Sequence, residues 1–134
     1  MSLRGIHHVG VAVADLDEAI ATYERLFGAT VEHRGLIEGQ GVEAAYLRVG
    51  VDRVELVSAT GEDTPVGRFL AKRGPGMHHV AFEADDVQTE LDVLAAAGAQ
   101  LIDDAPRPGL DGLETAFVHP DAVHGVLTEV VSGG

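Results

Sequence analysis

The 134-residue chain contains no cysteine and no tryptophan, and aromatic residues make up only 4% of it. Without cysteine it can form neither a disulfide framework nor a thiolate nucleophile. The few aromatic side chains argue against a surface on which bases stack. No apolar run approaches the roughly 18 residues of a membrane-spanning helix, and no signal-peptide pattern opens the sequence. We therefore expect a cytoplasmic protein with no membrane partner.

Positive charge is also scarce. The chain has 9 Lys and Arg residues against 22 Asp and Glu residues, which gives a net charge of −13. Such an acidic chain is a poor partner for nucleic acids and for anionic membranes. The length and the hydrophobic content of 46% fit a globular chain that can bury a sizeable core.

The sequence does contain an internal repeat, and overlooking a repeat leads to the wrong fold assignment. Residues 6–11 and 77–82 are apolar runs that include His7-His8 and His78-His79, about half the chain length apart. Each run is suited to a buried strand. In both copies an acidic residue follows and then a helical pattern that ends at a glycine, Gly28 in the first copy. The sequence therefore predicts two halves that are built alike.

Each half predicts the order β-α-β-β-β. The first has strands at 6–13, 29–34, 42–49 and 53–58, a loop at 35–41, and a helix at 16–27 with Asp15 as N-cap and Gly28 as C-terminal glycine. The second has strands at 78–84, 100–103, 114–119 and 125–131, a loop at 104–112 and a helix at 86–97. A short helix at 66–73, capped by Thr64 with Pro65 in its first turn, joins them. We expect one α+β domain over 1–134, with modules at about 5–58 and 76–131 and a linker helix at about 59–75.

Both halves also close with a glutamate inside an apolar strand, Glu55 in the first and Glu129 in the second. A single strand carboxylate usually faces solvent, and a single strand histidine is usually a core residue. The repetition changes this interpretation, because halves related by a pseudo-twofold axis bring equivalent positions together. His8, His79 and the two glutamates would then form a mixed nitrogen and oxygen set, which suits a divalent transition metal with open water positions.

The neighbouring histidines, His7 and His78, point to the opposite face if both members of each pair lie in the strand. We expect polar packing roles for them.

With these features the chain resembles the vicinal oxygen chelate (glyoxalase-like) superfamily and, within it, the methylmalonyl-CoA epimerase family. The resemblance covers nearly the whole length and is carried by residues 7–13, 40–42, 54–56, 63–73, 76–82, 101–109, 119–120 and 124–129. The metal set is shared by many members of the superfamily. The linker helix and the Pro-Arg-Pro-Gly loop are more particular to the epimerases.

The resemblance implies a curved sheet around a metal cleft, with His8, Glu55, His79 and Glu129 as ligands of a cobalt, manganese, nickel or zinc ion. It implies interconversion of (R)- and (S)-methylmalonyl-CoA through removal of the proton on carbon 2. The ion would act as Lewis acid for the enolate. Relatives commonly form homodimers, so we expect one, with an acyl-CoA as the small-molecule partner.

Glu129 is the better candidate for one catalytic base. For the other base, some family members carry a glutamate four places after the glutamine at position 40, where this chain has Ala44. Glu43, one place earlier, would face the other way on a strand. Either the register shifts and Glu43 serves, or Glu55 is the second base, which we prefer.

Arg107, in the Pro-flanked loop, is the predicted contact for the coenzyme A phosphates. The turn after position 120 has Asp121, where related epimerases often have lysine. Arg68, Lys72 and Arg73 are the other candidate cations, and each can equally be an ordinary solvated charge. His119 is equally consistent with a substrate hydrogen bond and with the end of a strand.

Two other functions fit the same repeat. One is a glyoxalase I-type lyase that acts on glutathione thiohemiacetals with the same ligand set. The other is a non-catalytic protein that binds small molecules. Proteins of that kind typically lose the metal residues, whereas all four candidate ligands are present here.

Overall fold

The computed structural model describes residues 3–133. Its helices and strands, in chain order, are β1 (Leu3–Ala12), α1 (Leu16–Phe27), β2 (Thr30–Ile37), β3 (Val42–Val49), β4 (Asp52–Ala59), α2 (Pro65–Arg73), β5 (Gly76–Ala84), α3 (Val87–Ala96), β6 (Arg107–Pro108), β7 (Glu114–Val118) and β8 (Thr128–Ser132). The order is β-α-β-β-β, then α2, then β-α-β-β-β again. This confirms the predicted α+β fold with its duplicated module.

Contacts within the chain define two units. Residues 8–78 form the N-terminal unit, and the described parts of 1–7 and 79–134 form the C-terminal unit. In the N-terminal unit the strand order is β2-β3-β4-β1, with β4 and β1 parallel and the other pairs antiparallel. In the C-terminal unit the order is β6-β7-β8-β5, again with one parallel pair, β8 and β5. The same topology is therefore built twice.

Helix α1 shows why the predicted elements form. The Asp15 carboxylate accepts a hydrogen bond from the Glu18 backbone N–H at 3.0 Å, and Gly28 ends the helix with φ of 64°. That left-handed conformation suits a residue without a Cβ. Its buried residues Leu16 and Ile20 pack against β3 and β4. One face of these strands is thereby covered, which leaves their other face for the functional side chains.

The C-terminal unit repeats this arrangement. Asp86 caps α3 through the Thr89 backbone N–H at 2.9 Å. The Thr89 hydroxyl and N–H both hydrogen-bond the Asp86 carboxylate, which lowers its pKa. Val87 and Leu91 pack on the core side of β7 and β8, where Val130 lies.

Helix α2 begins as predicted, with Pro65 in its first turn and the Thr64 hydroxyl accepting from the Gly67 N–H at 3.0 Å. Gly67 is required by space, because a Cβ there would lie 2.3 Å from the Gly61 carbonyl oxygen. Within residues 3–133, no helix combines the length and the apolar character needed to cross a membrane.

Several predicted boundaries are wrong; the last strand, for example, begins at Thr128 and not at residue 125. Strand β2 extends to Ile37 through the predicted loop at 35–41, because it stays paired with β3 to its last residue; a 3-10 turn covers only 38–40. The predicted strand at 100–103 is reduced to one bridge, from Leu101 to Val118. The two-residue β6 lies instead inside the predicted loop at 104–112, and Pro108, which lacks an N–H, suits so short an edge strand.

Candidate metal centre

The N-terminal half-site consists of His8 on β1 and Glu55 on β4. Val54 and Leu56 belong to the core under α1, so the intervening Glu55 faces the other side of the strand. His8 Nε2 lies 3.4 Å from Glu55 Oε1, and the two residues are only 1% and 5% exposed. The ring of Tyr46, on β3 directly opposite Glu55, lies 5.1 Å from the His8 ring. This half-site is therefore a buried pair beside an aromatic wall.

The C-terminal half-site repeats the pair with His79 on β5 and Glu129 on β8. His79 Nε2 lies 3.3 Å from Glu129 Oε1, and both residues are 5% exposed. Phe117, opposite Glu129 on β7, presents its ring edge-on to His79 at 5.8 Å. The hydroxyl of Thr115, itself 1% exposed, donates a hydrogen bond to Glu129 Oε2. Here the carboxylate has an additional donor from a neighbouring strand.

The four residues each offer one ligand atom, and these atoms all lie within 4.8 Å of one another. Ligand atoms held about 2.1 Å from one ion, at angles of roughly 90–110°, are themselves about 3.0–3.4 Å apart. The nitrogen–oxygen distances of the two pairs, 3.4 Å and 3.3 Å, match that separation. A divalent cation bound by two imidazoles would neutralise the charge of two buried carboxylates. The donor set therefore fits a divalent metal ion.

The remaining histidines lie elsewhere. His7 is buried, whereas His78 is half-buried and meets the ring of Phe69 on α2 edge-on at 5.0 Å. His119 is half-buried, and its Nδ1 accepts a hydrogen bond from the Asp121 backbone N–H at 3.1 Å. His78 thus has the packing contact expected of it, and His119 ends β7 by capping the following turn.

Glu43 faces the α1 side of β3, as expected from its register. Its carboxylate accepts from Arg34 Nε at 3.0 Å, and Arg34 Nη1 also donates to Asp17 on α1 at 2.6 Å. These two carboxylates raise the pKa of Arg34. Ala44 points the opposite way and is fully buried. A shift of register that would turn Glu43 toward His8 is therefore not present.

Arg107 is half-buried on β6. Its Nε lies 3.3 Å from Asp103 Oδ2, and its guanidinium covers the Phe117 ring at 5.5 Å. The predicted contact with coenzyme A phosphates stays a prediction. Among the other candidate cations, Arg68 pairs with Asp63 at 3.1 Å and Arg73 lies over Phe69.

Sequence reasoning missed Thr115, Tyr46 and Phe117. The sequence does contain a signal for these residues, because side chains two positions apart on a strand point to the same face. Tyr46 follows Ala44 by two residues, as Phe117 follows Thr115, and alternation puts each pair on one face.

The fold and the two histidine–glutamate pairs define a protein of the glyoxalase class with a candidate metal centre. The chain belongs to the Glyoxalase/Bleomycin resistance protein/Dioxygenase superfamily, whose model matches residues 7–117, and within it to the methylmalonyl-CoA epimerase family.

Three relatives carry the narrower assignment. The ethylmalonyl-CoA/methylmalonyl-CoA epimerase of Cereibacter sphaeroides is 32% identical and covers 93% of this chain and 95% of that protein. The crystal structure of methylmalonyl-CoA epimerase from Mycobacterium tuberculosis is 33% identical with a TM-score of 0.94, over 98% of this chain and 89% of that one. A variant of the Streptomyces coelicolor methylmalonyl-CoA epimerase, in complex with 2-nitronate-propionyl-CoA, is 38% identical with a TM-score of 0.95, over 99% and 96%.

Proposed function

We propose that this protein is a metal-dependent epimerase that interconverts (R)- and (S)-methylmalonyl-CoA. One observation carries the proposal: two buried histidines and two buried glutamates place their ligand atoms within 4.8 Å of one another. The full-length similarity to methylmalonyl-CoA epimerases supplies the substrate class. The reaction class is isomerisation by proton transfer at carbon 2.

Carbon 2 of the substrate lies between a thioester and a carboxylate, so loss of its proton gives a delocalised enolate. A divalent ion held by His8, Glu55, His79 and Glu129 would supply a Lewis acid and a template for the two substrate oxygens. Burial of these residues excludes water, which strengthens electrostatic interactions inside the site. The identity of the ion, whether cobalt, manganese, nickel or zinc, stays a prediction.

The stereochemical change needs a base on each face of the planar enolate. We assign Glu129 to one face, where it takes or returns the proton. The opposite base is Glu55 in this proposal, because Glu43 is paired with Arg34 on the α1 side and Ala44 has no acidic group. Proton transfer by a positioned side chain typically contributes about 10²–10⁴-fold to the rate.

Other parts of the proposal depend on the family. A coenzyme A thioester is the small-molecule partner, and Arg107 is its assigned phosphate contact, for which the guanidinium would exchange its pairing with Asp103. Bidentate guanidinium–phosphate pairs are strong enough for such an exchange. The single domain over 1–134, the homodimer and the cytoplasmic location stay predictions.

The test is exchange of the carbon-2 proton of methylmalonyl-CoA with deuterated water, followed by NMR. We expect exchange and epimerisation that depend on added cobalt or manganese and stop when a chelator is present. Turnover of the methylglyoxal–glutathione adduct without this exchange would instead identify a lyase. If neither reaction occurs and the metal-free protein binds a small molecule tightly, the protein is a non-catalytic binding protein.

A further inference from the structure

Thr115 is a hydrogen-bond donor to Glu129, one of the two glutamates of the site. Its hydroxyl donates to Glu129 Oε2, and both residues are buried. The contact follows from the register of the antiparallel pair: β7 places Phe117 directly opposite Glu129, and Thr115 lies two residues away on the same face. A diagonal neighbour of this kind is within reach of a long side chain such as glutamate.

The two oxygens of Glu129 are thereby given different surroundings. Oε2 accepts the threonine hydroxyl, whereas Oε1 lies 3.3 Å from His79 Nε2. A carboxylate that is hydrogen-bonded through one oxygen cannot rotate freely, so it presents the other oxygen in a fixed direction. Partners of this kind orient metal ligands and strengthen metal binding.

The N-terminal unit offers an internal comparison. On β3, Tyr46 lies opposite Glu55 just as Phe117 lies opposite Glu129, and the residue two places before Tyr46 is Ala44. The position that supplies a hydroxyl in one unit therefore has a methyl group in the other.

We propose that Thr115 is a positioning residue that holds Glu129 as a one-oxygen metal ligand through Oε1. The inference rests on the metal site of the proposed function and does not depend on the substrate. It predicts that the hydroxyl, rather than the shape of the side chain, sets the affinity for the ion and the geometry of its ligands.

The test compares three variants of the full chain by cobalt titration, without substrate. Thr115→Val keeps the shape and removes the hydroxyl, whereas Thr115→Ser keeps the hydroxyl and removes a methyl group. Thr128→Val is the matched control, because Thr128 is also a buried threonine, on β8 beside Glu129, and its hydroxyl donates to the Val126 carbonyl at 3.1 Å. Visible absorption of bound cobalt reports its ligand geometry.

We expect Thr115→Val to weaken cobalt binding by about 10- to 100-fold, the usual effect of removing an outer partner of a ligand. Its cobalt spectrum should change, whereas Thr115→Ser and Thr128→Val should retain affinity and spectrum. Unchanged affinity and spectrum in Thr115→Val would overturn the inference, as would equal losses in the valine and serine variants. If the wild-type protein binds cobalt but does not epimerise, the proposed substrate fails while this inference is still tested.

Discussion

The two half-sites contain the same histidine–glutamate pair but differ in the residues that surround it. In each, a histidine Nε2 lies 3.3–3.4 Å from a glutamate Oε1, and an aromatic ring faces the imidazole. Around Glu55 the flanking residues of β3 are Tyr46 and Ala44, whereas around Glu129 those of β7 are Phe117 and Thr115. The two halves therefore have the same candidate ligand residues but different neighbouring residues on the adjacent strand.

This difference suits a substrate that is itself asymmetric. The C-terminal half-site adds a hydroxyl donor to its carboxylate and places the Arg107 guanidinium over the Phe117 ring, 5.5 Å from its centre. On β3 the position that matches Thr115 is Ala44, and the neighbouring Glu43 is directed to the helix side, where it pairs with Arg34. An asymmetric substrate would therefore meet different side chains at the two half-sites.

The largest expected effect comes from removing each carboxylate charge in turn. Glutamine keeps the size and one oxygen ligand but accepts no proton at neutral pH. With one base per face, Glu129→Gln should lose proton exchange from one epimer and Glu55→Gln from the other, each by about 10²–10⁴-fold. Deuterium incorporation into pure (R)- and pure (S)-substrate measures this directly.

Glu43→Gln is the control for that experiment, since Glu43 lies on the far face of β3 and pairs with Arg34. It should keep exchange from both epimers. A loss in Glu43→Gln as large as in Glu55→Gln would contradict the assignment of the second base, and equal losses from both epimers in each variant would contradict the two-base division. Cobalt affinity is measured in parallel, so that a lost ion is not mistaken for a lost base.

Much of this fold was predictable because local signals and the repeat agree. Asp15, Asp86 and Thr64 cap their helices as short polar side chains do before apolar helical patterns, and Gly28 ends α1 in the left-handed conformation. His8 and Glu55 were identifiable because a polar residue recurs at the same place in both apolar strands. Their roles in catalysis stay predictions.

What could not be predicted depends on pairing between distant segments. The apolar pair at 101–102 resembles a strand, but only Leu101 forms a bridge, to Val118. Strand β2 extends to Ile37 because β3 supplies partners, which no local pattern in 35–37 reveals. The Thr115 hydrogen bond requires the register of β7 against β8, which is likewise set by tertiary structure.

Removing the rings of Tyr46 and Phe117 tests whether these aromatic side chains stabilise their half-sites equally. Tyr46 and Phe117 are both buried, and truncation of buried aromatic residues to alanine costs about 3–5 kcal/mol in the free energy of unfolding. We expect Tyr46→Ala and Phe117→Ala to lose comparable amounts in urea denaturation. Phe27→Ala is the control, since that ring is 62% exposed and its loss should cost much less. If Tyr46→Ala or Phe117→Ala lowers the free energy of unfolding no more than Phe27→Ala does, that ring is not part of the packing around its histidine.

The mirror substitution, Ala44→Thr, places a hydroxyl at the position that matches Thr115. Ala44 is fully buried, so the added atoms overpack the site, and we expect a loss of about 1–3 kcal/mol in the free energy of unfolding. Ala105→Thr, at an exposed loop position, should be nearly neutral. Urea denaturation of both variants checks this. Full stability in Ala44→Thr would show that the N-terminal half-site has room for a second donor.

The smallest expected effect concerns the edge strands of the two units, β2 and β6, which also differ from each other. Strand β2 has eight residues and carries Glu32, whose carboxylate accepts from Arg48 Nε at 2.6 Å and Arg53 Nε at 2.8 Å, whereas β6 has two residues. The hydrogen bond from Arg53, followed by that from Arg48, lowers the pKa of Glu32 below its ordinary 4.5. A carboxyl whose pKa is lower in the folded state stabilises the fold above the unfolded pKa and loses that contribution as the pH falls through the folded pKa.

Glu32→Gln should therefore cost less than about 1 kcal/mol near neutral pH, as partly exposed ion pairs do. The difference from the wild type should disappear as the pH falls below 4.5, through the lowered pKa of Glu32. Thermal unfolding from pH 7 down to acidic pH measures it, with Glu62→Gln, in the exposed link before α2, as the control. A difference that stays constant with pH would show that the arginine pair does not stabilise this edge through the charge of Glu32, and the contrast between the two edges would then be one of strand length alone.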